Sequence, residues 1–528
     1  MTDTLVRGAR IIDGTGAPWF RGDVAIAGGR ITAIGHDLPA GDATVIDAAD
    51  RYLAPGFIDA HCHDDLIFLR EGDRREKAAQ GVTSIVVGNC SFSLYPANPD
   101  SRDLLRQHFS GLLGETHDDE IFADFAAYRH RLLEQGIALN LVSLVGHAGL
   151  RLAVMGYDRR PAGTAEIEAM CALLAEQLAA GAAGLSLGLV YPPSAFADEA
   201  EMLALGRTVA RYGKVLAAHV RSYEAGLMDA IDEFGAVVKG AGVAGLLSHL
   251  QSAGRPNWGN IPAAIERLEA MRTEGIDISF DMYPYPAGST WLAQLLPAAV
   301  FDGGIAAAKA RLQDADTRAV LKRWVEEGGP EYPGQSKVAL IGWGNVRLSA
   351  VGSAEMKSLE GLSMSAAAER LGITPFALMA RLIDADDGQT GIILFQLDEE
   401  DLRIACCNRL HMVGSDGLPR PGTRPHPRAF GTFPRVAGPL RREKHWFSIE
   451  DAVRRMTSIA AQRFGLNDRG LVRPGMAADL VLFEDAVNDT ATFDDPAQLP
   501  TGIDHVFVNG EAVIADGVQT GLRPGRVL

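Results

Sequence analysis

Two histidines one residue apart close the segment GFIDAHCHDD at residues 56–65. Alternate side chains of an extended chain share a face, so His61 and His63 are expected to aim at one point in space. Further ligand-type residues stand at the ends of later apolar runs. Cys90 closes SIVVGNC, His147 closes LVSLVGH, His219 ends VLAAH, His249 ends LLSH, and Asp416 follows HMVGS. Imidazole, thiolate and carboxylate together are the ligand set of zinc and of metals of similar softness. Any one of these histidines taken alone would be read as a satisfied core or surface residue. Gathered at strand ends, residues of these types point together to a metal site. Such a site suits hydrolysis: an open position on zinc brings the pKa of a bound water to about 7, and the ion polarises a carbonyl oxygen. Asp416 is the candidate to take the water's proton and return it to a leaving amine. The competing reading of Asp416 is a helix N-cap before Gly417.

Such convergence requires elements that bring distant residues to one end of a fold. Between residues 56 and 464, short apolar runs alternate with Ala/Leu/Glu/Arg segments of helical pattern, the signature of repeated βα units. Eight candidate strands end at FIDAHCH, SIVVGNC, LVSLVGH, GLSLGL, VLAAHV, LLSHL, ISFDMYP and HMVGSD. Several carry a ligand-type residue at the C-terminal end, where a (β/α)₈ barrel keeps its active site. The expected fold is therefore α/β, a TIM-type barrel built from 56–288 and 351–464. Gly/Pro-rich pieces such as GGPEYPGQS mark an inserted lid segment at 289–350, after which SAAAERLGITPFALMARLID returns to the barrel. Residues 1–55 and 465–528 read as strands with hairpin signals at Gly28–Gly29 and Asn509–Gly510, so both termini are expected to build one small β domain.

Bulk composition narrows the partners. A formal charge of −17, with no basic cluster, argues against nucleic acid and anionic membranes. The chain shows no 18-residue apolar run and no signal-peptide plan at its start, and its five cysteines form no disulfide framework. A cytoplasmic enzyme acting on a small molecule is expected; the sequence leaves a homo-oligomer open.

Several motifs carry a more specific likeness: PGFIDAHCHDD at 55–65, GNCSFS at 88–93, GLSLGLVYPP at 184–193, HVRS at 219–222, DMYPYPAGST at 281–290, HPRAFGTFPR at 426–435 and DRGLVRPGMAADLVLF at 468–483. The chain resembles the N-acyl-D-amino-acid deacylase (D-aminoacylase) family of the amidohydrolase superfamily, over nearly its whole length and least clearly at 290–400. Many superfamily members bridge two metals with a carboxylated lysine on the fourth strand. GLSLGL has no lysine, and Cys90 is available instead. The resemblance implies one tight zinc on Cys90, His219 and His249, with His61, His63 and Asp416 around a second, weaker position. It implies deacylation of N-acyl-D-amino acids, with a lysine two residues after the sixth-strand histidine, a tyrosine and an arginine meeting the substrate's carboxylate. Here that lysine is Gln251, while Tyr283 and Arg428 remain, and Arg221 is a further cation available to compensate. Tyr191, after the fourth strand, is a candidate donor to the substrate carbonyl. Other readings are an amidase of the same mechanism for other N-acyl amines, a cyclic-amide hydrolase, and a metal-free scaffold; the missing lysine and the intact ligand set argue against the last two.

Overall fold

The computed structural model describes residues 3–528. Eight parallel strands follow one another: β1 (Phe57–Asp59), β2 (Val82–Val87), β3 in two pieces (Asn140–Ser143 and Val145–Gly146), β4 (Gly184–Gly188), β5 (Val215–His219), β6 (Ala244–Leu247), β7 (Ile278–Met282) and β8 (His411–Val413). Each pairs in parallel with its predecessor through β7, and β8 pairs with β7. The ring closes between β8 and β1, where Ala60 N donates to Val413 O at 3.2 Å and His63 N to Gly417 O at 3.0 Å. Nearly every residue of these strands is buried, because a parallel sheet covered by helices has no solvent face.

The helices between strands follow from local pattern. Glu199–Arg211 begins at Asp198, whose carboxylate accepts from Glu201 N, and it buries Met202, Leu205, Gly206 and Val209 on one stripe. At the C-terminal mouth two glycines are required by close approach. A Cβ on Gly188 would lie 2.2 Å from Cys90 O, and one on Gly414 would lie 2.6 Å from His61 Cβ. Both contacts press strand ends onto ligand-bearing residues.

Both termini do build one sheet. Strands Thr4–Ile11, Phe20–Ala27, Arg30–Gly35, Thr44–Asp47 and Tyr52–Pro55 join four from residues 480–519, and the seam is the antiparallel pair Leu480↔Pro55 through Phe483↔Tyr52. Val6, Ile11, Leu53, Leu480, Leu482 and Phe507 give it a core of its own. The last residues depart from the expected boundary. Leu528 N donates to Leu141 O at 2.8 Å and Leu141 N to Arg526 O at 2.8 Å, so the tail runs beside the start of β3 rather than in the β domain.

The inserted segment is also longer than the expected 289–350. Strands Gly288–Trp291, Val346–Ala350 and Gly391–Leu394 form one antiparallel sheet, with the last in the centre. Helices Met364–Leu371 and Pro375–Asp386 therefore belong to the insert, and the barrel resumes at Glu399–Cys407. Their amphipathic pattern resembles that of barrel helices, so pattern alone could not separate the two.

Beneath the mouth lies a buried charge network. Lys77 Nζ reaches Asp59 Oδ2 at 2.6 Å, Ser415 Oγ at 2.8 Å and Asp64 Oδ2 at 3.3 Å, with the lysine and both aspartates fully buried. Asp59 also accepts from Ser415 N at 2.7 Å, tying β1 to the segment that carries Asp416. Removing the cation would strand two carboxylates in the core, and breaking a buried pair in this way costs about 3–5 kcal/mol. Lys77→Met is therefore expected to lower unfolding stability by about that amount, measured by denaturant titration of the metal-free protein.

Candidate metal centre

The expected ligands converge at the mouth of the barrel. His61, His63 and Cys90 form one buried set of donor atoms within mutual reach, and Cys90, His219 and His249 form another. Cys90 belongs to both. Its Sγ lies 3.3 Å from His61 Nε2 and 3.6 Å from His249 Nε2. Asp416 Oδ1 lies 3.2 Å from His63 Nε2 and 3.6 Å from His61 Nε2. His61 and His63 project from an extended segment just beyond β1, with rings 5.4 Å apart, while the intervening Cys62 turns away and donates to Val86 O.

Three of these residues take unusual backbone. Cys90, His249 and Asp416 have φ of 52°, 36° and 48°. Left-handed backbone costs a non-glycine residue about 1–2 kcal/mol and persists where surrounding contacts enforce it. At each position it turns the chain just after a strand so that the side chain faces the barrel axis.

Asp281 on β7 orients the set. Its Oδ2 is 3.1 Å from His61 Nδ1, and its Oδ1 accepts from His249 N at 2.9 Å. A carboxylate on the distal nitrogen fixes the tautomer that leaves Nε2 free to bind. Asp64, which directly follows His63, is engaged by Arg74 and Lys77.

Electrostatics favour a cation here. Burial opposes ionisation of Cys90, but the charge on His61 and hydrogen bonds from His219, His249 and His61 outweigh it and hold the thiol well below its usual value. Burial likewise opposes ionisation of Asp416; Arg428, His63, His61 and His249 together hold its carboxyl well below the usual range. Burial pushes the other way on His63, yet Asp416 and Cys90 raise it to about 9. For His219 burial and the neighbouring His249 win, and it falls to about 4. The donors suit zinc in chemistry and in spacing. Tetrahedral coordination with Zn–S near 2.3 Å and Zn–N near 2.0 Å separates sulfur from nitrogen by roughly 3.5 Å, and the Cys90–His249 separation is 3.6 Å.

The proposed substrate residues divide. Tyr191, Gln251 and Tyr283 line the cavity over the ligands. Tyr191 packs its ring 4.9 Å from that of His219, and Tyr283 donates to Gln251 Oε1 at 3.1 Å. Arg428 lies behind them, fully buried, with Nη2 2.9 Å from Asp416 Oδ2 and its guanidinium 4.3 Å from the Tyr283 ring centre. Its Nε and Nη1 have no partner. Arg221 is a correction: it does not line the cavity over the metal ligands but stands outside it, held by Glu233 at 3.0 Å and by the carbonyls of Ala195 and Ala197. His147 is buried against Glu201 at 2.7 Å, a structural pairing that Arg151 completes. Sequence reading passed over Tyr223, whose ring lies 4.9 Å from that of His219, and Thr290, Lys337 and Gln396 of the cavity wall. Tyr223 directly follows the quoted HVRS and Thr290 ends the quoted DMYPYPAGST, so both could have been found there; Lys337 and Gln396 sit deeper in the insert, where no local pattern announces them.

The chain is similar to known proteins over its whole length. A model described as Amidohydrolase family matches residues 44–215 and 408–514, the β-domain seam and the barrel on either side of the insert. N-acyl-D-glutamate deacylase and D-aminoacylase, both of Alcaligenes xylosoxydans xylosoxydans, are 37% and 36% identical, aligned over all of this chain and 96% and 97% of theirs. Among solved structures, N-acyl-D-glutamate deacylase from Bordetella bronchiseptica, complexed with zinc and a phosphonate inhibitor, superposes with a TM-score of 0.84 at 35% identity, covering 100% of this chain and 99% of its own. The chain belongs to the amidohydrolase family, in its D-aminoacylase branch. The same branch includes a D-aminoacylase whose structure is described in terms of a binuclear metal center, with a TM-score of 0.83.

If Cys90 serves both ligand sets, its loss must disturb both. Cys90→Ala is expected to purify with less than about a tenth of the wild-type zinc, whereas His61→Ala keeps most of it. Because thiolate and imidazole must be deprotonated to bind, wild-type affinity falls as pH drops. Elemental analysis and chelator competition check both; full zinc in Cys90→Ala would refute the shared-sulfur arrangement.

Proposed function

We propose that this protein hydrolyses the amide bond of N-acyl-D-amino acids, releasing a carboxylate and a free D-amino acid. The observation that carries the reading is Cys90 shared between two buried imidazole pairs, with Asp416 beside them. It is supported by full-length likeness to deacylases of N-acyl-D-glutamate and N-acyl-D-aspartate.

On this reading Cys90, His219 and His249 hold one zinc tightly, and His61, His63 and Asp416 surround a weaker second position. A zinc bound there supplies Lewis acidity toward the amide carbonyl and acidifies a water. Asp416 takes the proton of the attacking water and delivers it to the leaving nitrogen. Its carboxyl is ionised at neutral pH, because the nearby cations overcome the effect of burial. Burial raises the phenol of Tyr191 well above its usual value, so it stays protonated and donates to the carbonyl oxygen as charge develops there. The insert acts as a lid. Lys337 Nζ meets Glu224 Oε1 at 2.5 Å and Ala225 N donates to Gln335 Oε1 at 3.0 Å, closing the insert onto the loop after β5 and excluding water. The five free cysteines fit a reducing compartment, the cytoplasm.

A second reading concerns the substrate's carboxylate. Gln251 brings hydrogen bonds without charge, Arg428 is engaged by Asp416, and the cavity's Lys337 is engaged by Glu224. The described wall thus offers no cation free of an acidic partner. This favours acyl amides whose carboxylate is displaced or absent, and predicts modest activity on simple N-acetyl-D-amino acids.

Two substitutions test these roles. Asp416→Asn keeps the shape and removes the base, so kcat is expected to fall by about 10²–10⁴-fold or more with the tight zinc retained; wild-type turnover would remove Asp416 from the role. Gln251→Lys restores a cation, and a charged hydrogen bond exceeds a neutral one by enough for about tenfold. Its kcat/KM on N-acetyl-D-amino acids is expected to rise by about that factor. Efficient wild-type hydrolysis with no gain from Gln251→Lys would leave the ordinary deacylase reading alone standing.

A further inference from the structure

A second cavity lies against the metal pocket. The two share Val190, Gln294 and Lys337 as walls. The metal pocket offers about 50 Å³, whereas its neighbour offers about 600 Å³, within the roughly 300–1,000 Å³ of ordinary ligand sites. The chamber is formed between the segments that follow β4 and β5 and the insert. Leu189, Leu296, Pro297, Trp324 and Pro333 give it a largely apolar lining.

Its charged groups are already spent on one another. Arg221 is bound by Glu233 and Lys337 by Glu224, and the remaining Asp229 is an acid. An anionic group is therefore poorly served there, and hydrocarbon is well served. Position around the ring completes the argument. Tyr283 and Asp416 follow β7 and β8, with Arg428 behind them, while the chamber adjoins the ends of β4 and β5. In a ring of eight strands these lie across the mouth from each other. An amide held over the metal ligands with its amine portion toward Tyr283 and Gln251 must direct its acyl portion toward Val190 and Gln294.

We propose that this chamber is the acyl subsite, and that it receives the hydrocarbon tail of substrates whose acyl group is a medium-length aliphatic chain rather than acetyl. The proposal rests on the amide-hydrolase reading above and names the part of the substrate which that reading leaves open.

The test is a chain-length series on the zinc-loaded enzyme: acetyl, butyryl and octanoyl derivatives of one D-amino acid, D-leucine. Burying a methylene contributes about fourfold, so kcat/KM for the octanoyl substrate is expected to exceed that for acetyl by about 100-fold or more, allowing for incomplete burial. Octanoate should also inhibit competitively where acetate does not. Ala298→Trp fills the chamber from the insert side, and Pro333→Trp does so from an exposed loop on another wall. Each is expected to lower octanoyl kcat/KM at least about tenfold while acetyl turnover stays within about threefold. A flat length profile, or an octanoyl preference untouched by both fillings, overturns the acyl subsite and leaves the hydrolase reading standing. Failure to hydrolyse any member of the series overturns both.

Discussion

A thiolate buried among imidazoles persists only while positive charge stays beside it. Cys90 is 3% exposed, and the protein surrounds its sulfur with His61, His63, His219 and His249; of these, His61 and His63 are held above the usual imidazole range by the acidic groups beside them. Desolvation makes the arrangement expensive for any lone ion, and a divalent cation satisfies it better than a proton because it is bound by several donors at once. The geometry of the mouth follows from keeping this sulfur in place. Gly188 leaves room for the Cys90 carbonyl, and the left-handed turn at Cys90 would be released if strands β2 and β4 moved apart. The strain is held by the barrel, and the barrel is held by its own closed ladder.

The same logic extends one layer outward. Asp281 meets the backbone of His249 with one oxygen and the ring of His61 with the other, so a single carboxylate couples a member of each ligand set. Asp59, Lys77 and Ser415 do the equivalent for the β1–β8 seam, where the ring must close for Asp416 to stand opposite the histidines. Both layers are buried and ionic, which makes them poor sources of stability relative to an apolar core. What they supply is position, and a metal site that must hold two overlapping donor sets needs position more than it needs stability.

How much of this was legible in the sequence depended on whether the signal was local. The eight strand ends were readable because βα alternation runs through all of them and ligand-type residues mark several, as in VLAAH and LLSH. The β domain was readable from Gly28–Gly29 and Asn509–Gly510. The end of the insert was not, since whether Met364–Leu371 packs on barrel or insert is decided by the pairing of Gly391–Leu394 with Gly288–Trp291, a contact across about a hundred residues. Arg221 failed for a related reason. Two residues from His219 it ought to share that face, but the strand ends at His219, and the following turn sends its side chain toward Glu233. Gln251 keeps its place on the cavity wall, where Tyr283, just past the adjoining strand, donates to it.

The donor cluster and the cavity wall are therefore built from different material. His61, His63, Cys90, His219, His249 and Asp416 sit at or just past strand ends, where any shift disturbs several donors together. Much of the wall facing the substrate comes from the insert, through Thr290, Gln294, Lys337, Leu394 and Gln396, and is tied to the barrel loop by the Glu224 and Ala225 contacts. A lysine-to-glutamine difference at position 251 bears on both, because its amide nitrogen lies 3.4 Å from His249 Nδ1 and so touches the ligand set as well as the substrate space. A lysine at that position could only donate, whereas glutamine offers the imidazole either an acceptor or a donor. The residue that removes charge from the substrate's side of the pocket thus adds a partner for a metal ligand on the other, and this chain's choice of glutamine links recognition to the metal centre at that one point.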